Sequence, residues 1–320
     1  MARDETGFEL PSEPIHRVTQ PMGRFLHVEA ASGVVLLAAA VLAFAAANSG
    51  LSEAFLGFWK TKIGVDVGGF VMSHTLKHWV SDGLMAIFFF VVGLEVKREL
   101  VLGELRSVRQ AALPIAAAIG GMAVPAAVYL ALVDGPATRG WGIPMATDIA
   151  FVVGCLAVLG SRVPQSLRVM LLSLAIADDI GAILVIAIGY TTDLSLAALG
   201  LGFAGLGLVL GMRLVGVRAI PVYAVVGTGV WVAFHESGVH ATLAGVILGL
   251  MTPTGARISD SRLSLMVERA AELWRGDDPS ADGPSHALRR RIAHVARESM
   301  SPLPRLEKGL HPWSAFLIIT

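Results

Sequence analysis

Asp178 and Asp179 are neighbours inside an apolar run, Ala175-Ile176-Ala177-Asp178-Asp179-Ile180-Gly181-Ala182. Ionisable groups placed that deep are expensive to bury and mark ion or proton paths. Adjacent residues on a helix point about 100° apart, so both carboxylates can border one wet cavity without stacking. In a poor dielectric the two do not readily ionise together, so they share protons and titrate as a coupled unit. Such a pair holds protons or a small hard cation. Competition for the same oxygens is enough for exchange if the site opens to each side in turn. A pair of helix-end or interfacial aspartates is the alternative, and mid-run placement argues against it.

A third carboxylate, Asp148, lies in Gly142-Ile143-Pro144-Met145-Ala146-Thr147-Asp148-Ile149-Ala150-Phe151. Pro144 removes a helical hydrogen bond and Gly142 loosens the turn before it. Unwound backbone here would add carbonyls and the Thr147 hydroxyl as oxygen ligands, as in transporters with discontinuous helices. A plain proline kink beside a buried, hydrogen-bonded Asp148 is the competing reading. Elsewhere, Gly93-Leu94-Glu95-Val96-Lys97-Arg98-Glu99-Leu100 ends another apolar run. Its mixed charge reads equally as a solvated helix cap or as a functional cluster. Asp82, at the opposite end of that run, is equally open. His240 can sense pH, or it can be a packed, hydrogen-bonded residue. Gly207 and Gly211, at GxxxG spacing, are predicted to serve close helix packing.

These residues need a membrane scaffold to position them. The chain has 320 residues, 54% hydrophobic and 16% charged, with a mean hydropathy of +0.68. Soluble domains carry about 25% charged residues. Lys plus Arg equals Asp plus Glu at 25 each, which excludes the basic footprint of a nucleic-acid binder. The single cysteine, Cys155, allows no internal disulfide. A helix needs roughly 20 apolar residues to cross a bilayer. That rule predicts eight spans, at 28–48, 78–97, 112–133, 143–160, 166–189, 194–213, 219–235 and 238–252. The first resembles a secretory signal, but its polar leader is long for one. With both ends of this domain cytoplasmic, only Lys60, Lys62, Lys77 and Arg139 fall outside, leaving 21 of 25 basic residues inside. That is the bias the positive-inside rule demands.

The predicted organisation is a cytoplasmic segment at 1–27, the eight-span domain at 28–252, a cytoplasmic loop at 253–311 and, at 312–320, the start of an incomplete ninth helix. The last rests on reach, since the residues after Pro312 rise about 12 Å against a core of about 30 Å. Within the loop, 261–274 and 286–298 have amphipathic helical spacing. Arg289-Arg290-Arg291 reads as a lipid-headgroup contact or a solvated face. Between the first two spans, 58–68 is predicted to form a small hairpin.

Five segments then carry a resemblance: Val92-Gly93-Leu94-Glu95-Val96-Lys97-Arg98-Glu99-Leu100, Pro144-Met145-Ala146-Thr147-Asp148-Ile149-Ala150-Phe151, Leu159-Gly160-Ser161-Arg162-Val163-Pro164, Ala177-Asp178-Asp179-Ile180-Gly181-Ala182-Ile183 and Ser237-Gly238-Val239-His240-Ala241-Thr242-Leu243-Ala244-Gly245. Ser301-Pro302-Leu303, Arg305-Leu306-Glu307 and His311-Pro312-Trp313 add to it. In order, from about residue 24 to the last residue, the chain resembles the NhaA family of bacterial Na+/H+ antiporters. The resemblance implies an all-α polytopic inner-membrane protein with discontinuous helices and inverted repeats. It implies pH-regulated, electrogenic exchange of Na+ or Li+ for H+, with no cofactor and no enzymatic reaction.

By the same resemblance Asp179 is the main Na+ or Li+ ligand and Asp178 its proton-exchanging neighbour. Asp148 and Thr147 set the field where broken helices cross. Glu95, Arg98, Glu99 and Glu307 form a cytoplasmic pH-sensing cluster, with Asp82 and His240 linked to activity or pH response. The hairpin near 58–68 is implied to pair two copies as a homodimer. Lys308 stands where the family commonly has a second histidine. The family's second inverted repeat would lie beyond Thr320, so a C-terminally truncated chain is the expectation. That leaves an inactive remnant or interaction partner as the alternative to an antiporter. An intramembrane aspartyl protease ranks last, because it wants aspartates on two facing helices and the chain has no Gly-x-Gly-Asp signature.

Overall fold

The computed structural model describes residues 29–67, 70–146, 162–190, 194–217, 219–255 and 301–314, with 152, 159, 263–266, 268, 269 and 318. Helices α1 (Glu29–Ala47) and α2 (Ser52–Trp59) meet at a bend of 115°. Strands β1 (Lys62–Val67) and β2 (Phe70–Thr75) follow, antiparallel, with Lys62 opposite Thr75 and Val67 opposite Phe70. Then come α3 (Leu76–Leu102), with a π-helical turn at Trp79–Leu84, and α4 (Val108–Leu132). A 3-10 stretch at Gly135–Met145 precedes α5 (Gln165–Gly189), α6 (Leu196–Val215), α7 (Ile220–Glu236) and α8 (Thr242–Met251). Helix α9 spans Pro302–Trp313.

Four of these, in α3, α4, α5 and α6, are long and apolar enough to cross a membrane, and the bent α1–α2 pair makes a fifth if it counts as one span. Their outward faces are bare hydrocarbon: Val108 is 88% exposed, Leu214 87% and Leu132 79%. Water would not tolerate so continuous an apolar surface, whereas lipid matches it, and the helices satisfy their own backbone groups. The chain is a multi-pass membrane protein.

Several elements differ from the sequence reading. The hairpin starts later than 58–68, because Phe58 and Trp59 close α2. There Trp59 packs edge-on against Phe55 one turn back, at 6.2 Å between ring centres. The stretch 238–252 is not one full-length helix. Gly238 turns with φ +79, Thr252 is extended before Pro253, and the 10 residues of α8 rise only about 15 Å. Helix α9 begins with Pro302 in its first turn, inside the stretch predicted as the 253–311 loop. The segment 1–27, most of 143–160, most of the two amphipathic stretches and most of 312–320 lie outside the described residues.

Glycine decides which helices touch. A Cβ on Gly245 would lie 2.1 Å from the Ala86 carbonyl oxygen, and one on Gly249 would lie 2.5 Å from that of Phe90. One on Gly93 would meet the Val246 carbonyl at 2.6 Å. Contacts advance together along both chains, so α3 and α8 run parallel with their backbones nearly touching. Helix α5 runs antiparallel to α3, since Ser173 meets Glu99 while Ile183 packs with Val92. In α6 the packing glycines are Gly202, against Phe234, and Gly205, against Val230. Gly207 and Gly211 are not: among the described residues nothing lies within 4 Å of a Cβ on either. GxxxG spacing alone does not say which face meets a neighbour.

Candidate functional site

Asp178 and Asp179 lie just past the midpoint of α5. Asp178 is buried, at 6% exposure, and Asp179 is half-buried. On one side Val92 and Val96 of α3 form a core with Ile183 and with Val246 of α8, and Ile176 and Ile180 pack against it. On the other side Gly181 admits α4: a Cβ there would lie 2.2 Å from the Met122 methyl. Two carboxylates are thus held within apolar walls, where a charge left uncompensated is costly. Protons or a cation can supply the compensation.

Thr147 and Asp148 fall outside the described residues, but the backbone leading to them is described. It is not α-helical. The 3-10 stretch Gly135–Met145 ends at Ala146, which is extended at ψ 129. A run of eleven residues is long for this tight helix, and α5 helps to hold it. The Tyr190 hydroxyl accepts from the Gly142 N–H at 3.0 Å and donates to the Arg139 carbonyl at 2.8 Å. Its ring also stacks on Trp141. Tyr190→Phe removes both hydrogen bonds, each worth about 0.5–1.5 kcal/mol. The expected result is a lower melting temperature with faster deuterium uptake confined to 135–146.

The six residues grouped as regulatory separate into two ends of α3. At one end Arg98 is ion-paired with Glu307 of α9, and Glu99 accepts the Ser173 hydroxyl of α5 at 3.4 Å. The Glu99 carboxylate folds over Gly103, so that a Cβ there would lie 2.1 Å from it. Glu95 is half-buried one turn back. Glu307 itself is buried, at 9% exposure, beside the fully buried Leu303. The mixed-charge end of α3 is therefore a junction of three helices, not a freely solvated cap.

Asp82 lies some 24 Å away along α3, from sixteen residues at 1.5 Å each. Its carboxylate meets His78 at 3.3 Å and His235 of α7 at 3.5 Å, and its carbonyl accepts the Trp231 indole N–H at 3.0 Å. His240, just before α8, is exposed. Sequence reasoning did not single out His74, His78 and His235. The four-residue spacing His74, His78, Asp82 was the available signal; only the return of α7 adds His235. Burial holds the His74 imidazole below its ordinary range, with His78 and His235 adding to the effect and Glu236 and Asp82 opposing it.

A family profile described as Na+/H+ antiporter 1 matches residues 23–320. The Na(+)/H(+) antiporter NhaA of Rhizobium meliloti (strain 1021) is 54% identical over 311 residues, covering 97% of this chain and 71% of that protein. The namesake from Rhodopirellula baltica is 53% identical over 316 residues, covering 98% of this chain and 72% of that protein. Na(+)/H(+) antiporter NhaA 2 of Sorangium cellulosum is 46% identical, over 98% and 68% respectively. These alignments measure shared length and lend no support to a truncated chain. Similarity of this depth along nearly the whole chain places it in a family: the chain belongs to the Na+/H+ antiporter 1 family.

Proposed function

We propose that this protein exchanges Na+ for H+ across the bacterial inner membrane, with Asp178 and Asp179 as the shared site. Family membership supports the reaction, and the observation that carries the site is the adjacent carboxylate pair inside apolar walls at mid-helix. Na+ or Li+ binds the carboxylate oxygens of Asp179, with Asp178 exchanging the proton. Asp148 and Thr147, which follow the 3-10 stretch that ends at Ala146, contribute further oxygens. The fold in this reading is an inverted-repeat antiporter with its N-terminus cytoplasmic. The parallel α3–α8 and antiparallel α3–α5 pairs agree with alternating spans. No observation favours an inactive membrane remnant.

If protons and Na+ compete for the same oxygens, Na+ binding must expel protons. The purified chain in lightly buffered detergent solution is expected to acidify the medium when NaCl is added, but not with choline chloride. Equal responses to the two salts would contradict the shared site.

Regulation by pH falls to Glu95, Arg98, Glu99 and Glu307, with Asp82 and His240 at the far end of the bundle. The Arg98–Glu307 pair supports this, since it ties α9 to α3. Its Arg98 side chain is 44% exposed and its Glu307 side chain 11%. Arg98→Ala strands a buried acid, at a cost of about 1–3 kcal/mol, so deuterium uptake across α9 should rise several-fold while α6 and α7 stay unchanged. A second copy docks through the β1–β2 hairpin, whose unpaired edges favour strand addition. Cross-linking between hairpin cysteines introduced at Ile63 is the measurement that checks it.

A further inference from the structure

The end of the bundle near the hairpin holds a cluster that sodium exchange does not explain. His74 comes from β2, His78 from the first turn of α3 and His235 from the last turn of α7. One ring nitrogen from each lies within 4.8 Å of the other two. The rings crowd together, at 4.3 Å for His74–His78 and 5.0 Å for both His74–His235 and His78–His235. Asp82 Oδ2 faces two of the imidazoles, at 3.3 and 3.5 Å. Among the described residues the His78 Nε2 atom is buried without a hydrogen bond, and it lies 3.3 Å from the Asp82 carboxylate. Stacked indoles roof the cluster, Trp231 on Trp79 and on His235.

We propose that His74, His78, His235 and Asp82 form a binding site for a divalent first-row transition metal, Zn2+ being the best match. Three imidazoles with one carboxylate are a borderline-soft nitrogen set that suits Zn2+, Ni2+ or Cu2+ and offers little to a hard alkali ion. The carboxylate-only site in α5 has the reverse preference, so the two do not compete. Tetrahedral Zn2+ with Zn–N of about 2.0–2.1 Å needs nitrogens about 3.4 Å apart. Rotation of side chains already within 4.8 Å supplies the difference. Bound metal would staple the hairpin to α3 and α7, which the Leu76 N–H bond to the Thr61 carbonyl and the Trp79 indole bond to the Ile63 carbonyl already begin.

The test uses the full chain, stripped with chelator and purified in detergent without a histidine tag, titrated with ZnCl2 by calorimetry and examined by zinc X-ray absorption. The expected result is a near-stoichiometric site with an imidazole-rich shell, weakened at least about tenfold by His74→Gln and by His235→Gln. Glutamine keeps the bulk, and size-exclusion elution identical to the parent shows that each variant is folded. Zinc should also raise the melting temperature of the parent but not of the His74→Gln, His235→Gln double variant. No stoichiometric binding by the parent would overturn the proposal. So would binding that the folded double variant retains in full, which would assign the metal to other ligands among the nine histidines and Cys155.

Discussion

Membranes carrying Asp179→Asn should lose Na+-driven proton movement by roughly 10²–10³-fold, the kinetic equivalent of about 3–4 kcal/mol. Asparagine keeps the size and one carbonyl oxygen of the side chain. It loses the negative charge that a hard cation must find after shedding water, and the proton that Na+ would displace. The fold should respond in the opposite sense. Two like charges side by side in apolar surroundings repel, so removing one is expected to leave the melting temperature unchanged or raise it. Loss of transport with undiminished stability is the signature of a binding residue. Full transport by Asp179→Asn would remove that aspartate from the ion path, and loss accompanied by a lower melting temperature would mark a structural residue.

Gly245→Leu is expected to damage the fold more than any single change on the lipid-facing surface. A Cβ at 245 falls 2.1 Å from the Ala86 carbonyl oxygen and 3.1 Å from the Phe90 nitrogen. Both obstacles are backbone, so no rotamer change relieves the clash; the helices must separate, breaking the Val92–Val96–Ile183–Val246 core beside the aspartates. Overpacking of this kind costs about 1–3 kcal/mol and sometimes more, so even Gly245→Ala should lower the melting temperature measurably, with leucine worse. Gly211→Ala provides the contrast: among the described residues nothing lies within 4 Å of a Cβ there, and alanine is the better helix former by about 1 kcal/mol. A Gly245→Ala protein that melts like the parent would mean that α3 and α8 do not pack as closely as described.

Long apolar runs made most helices legible in the sequence, because lipid forces a helix to satisfy its own backbone. The ends of α4, α5 and α7 fall within a few residues of the predicted spans. Faces were not legible. Gly207 and Gly211 had the expected spacing but point away from any described neighbour, while Gly245 and Gly249 meet the backbone of another helix. A helix face is chosen by whatever arrives from elsewhere in the chain. The same reason hid the histidine cluster, where His78 and Asp82 are one turn apart but His235 arrives from α7. The break before Thr147 was legible from Gly142 and Pro144; its anchor, Tyr190, lies 48 residues further on and left no local signal. The aspartate pair was legible because its neighbours in sequence are also its apolar surroundings.

The most direct test uses everted membrane vesicles from cells lacking their own Na+/H+ antiporters, energised to an acid interior in the presence of a pH-sensitive fluorescent dye. Sodium is added across pH 7 to 8.5 to vesicles bearing the parent chain and to vesicles bearing Asp179→Asn at matched membrane levels. Exchange through the aspartate pair predicts that Na+ dissipates the proton gradient in the first set and leaves it standing in the second. A parent chain that inserts normally but gives no response, or a variant that responds equally, would contradict it.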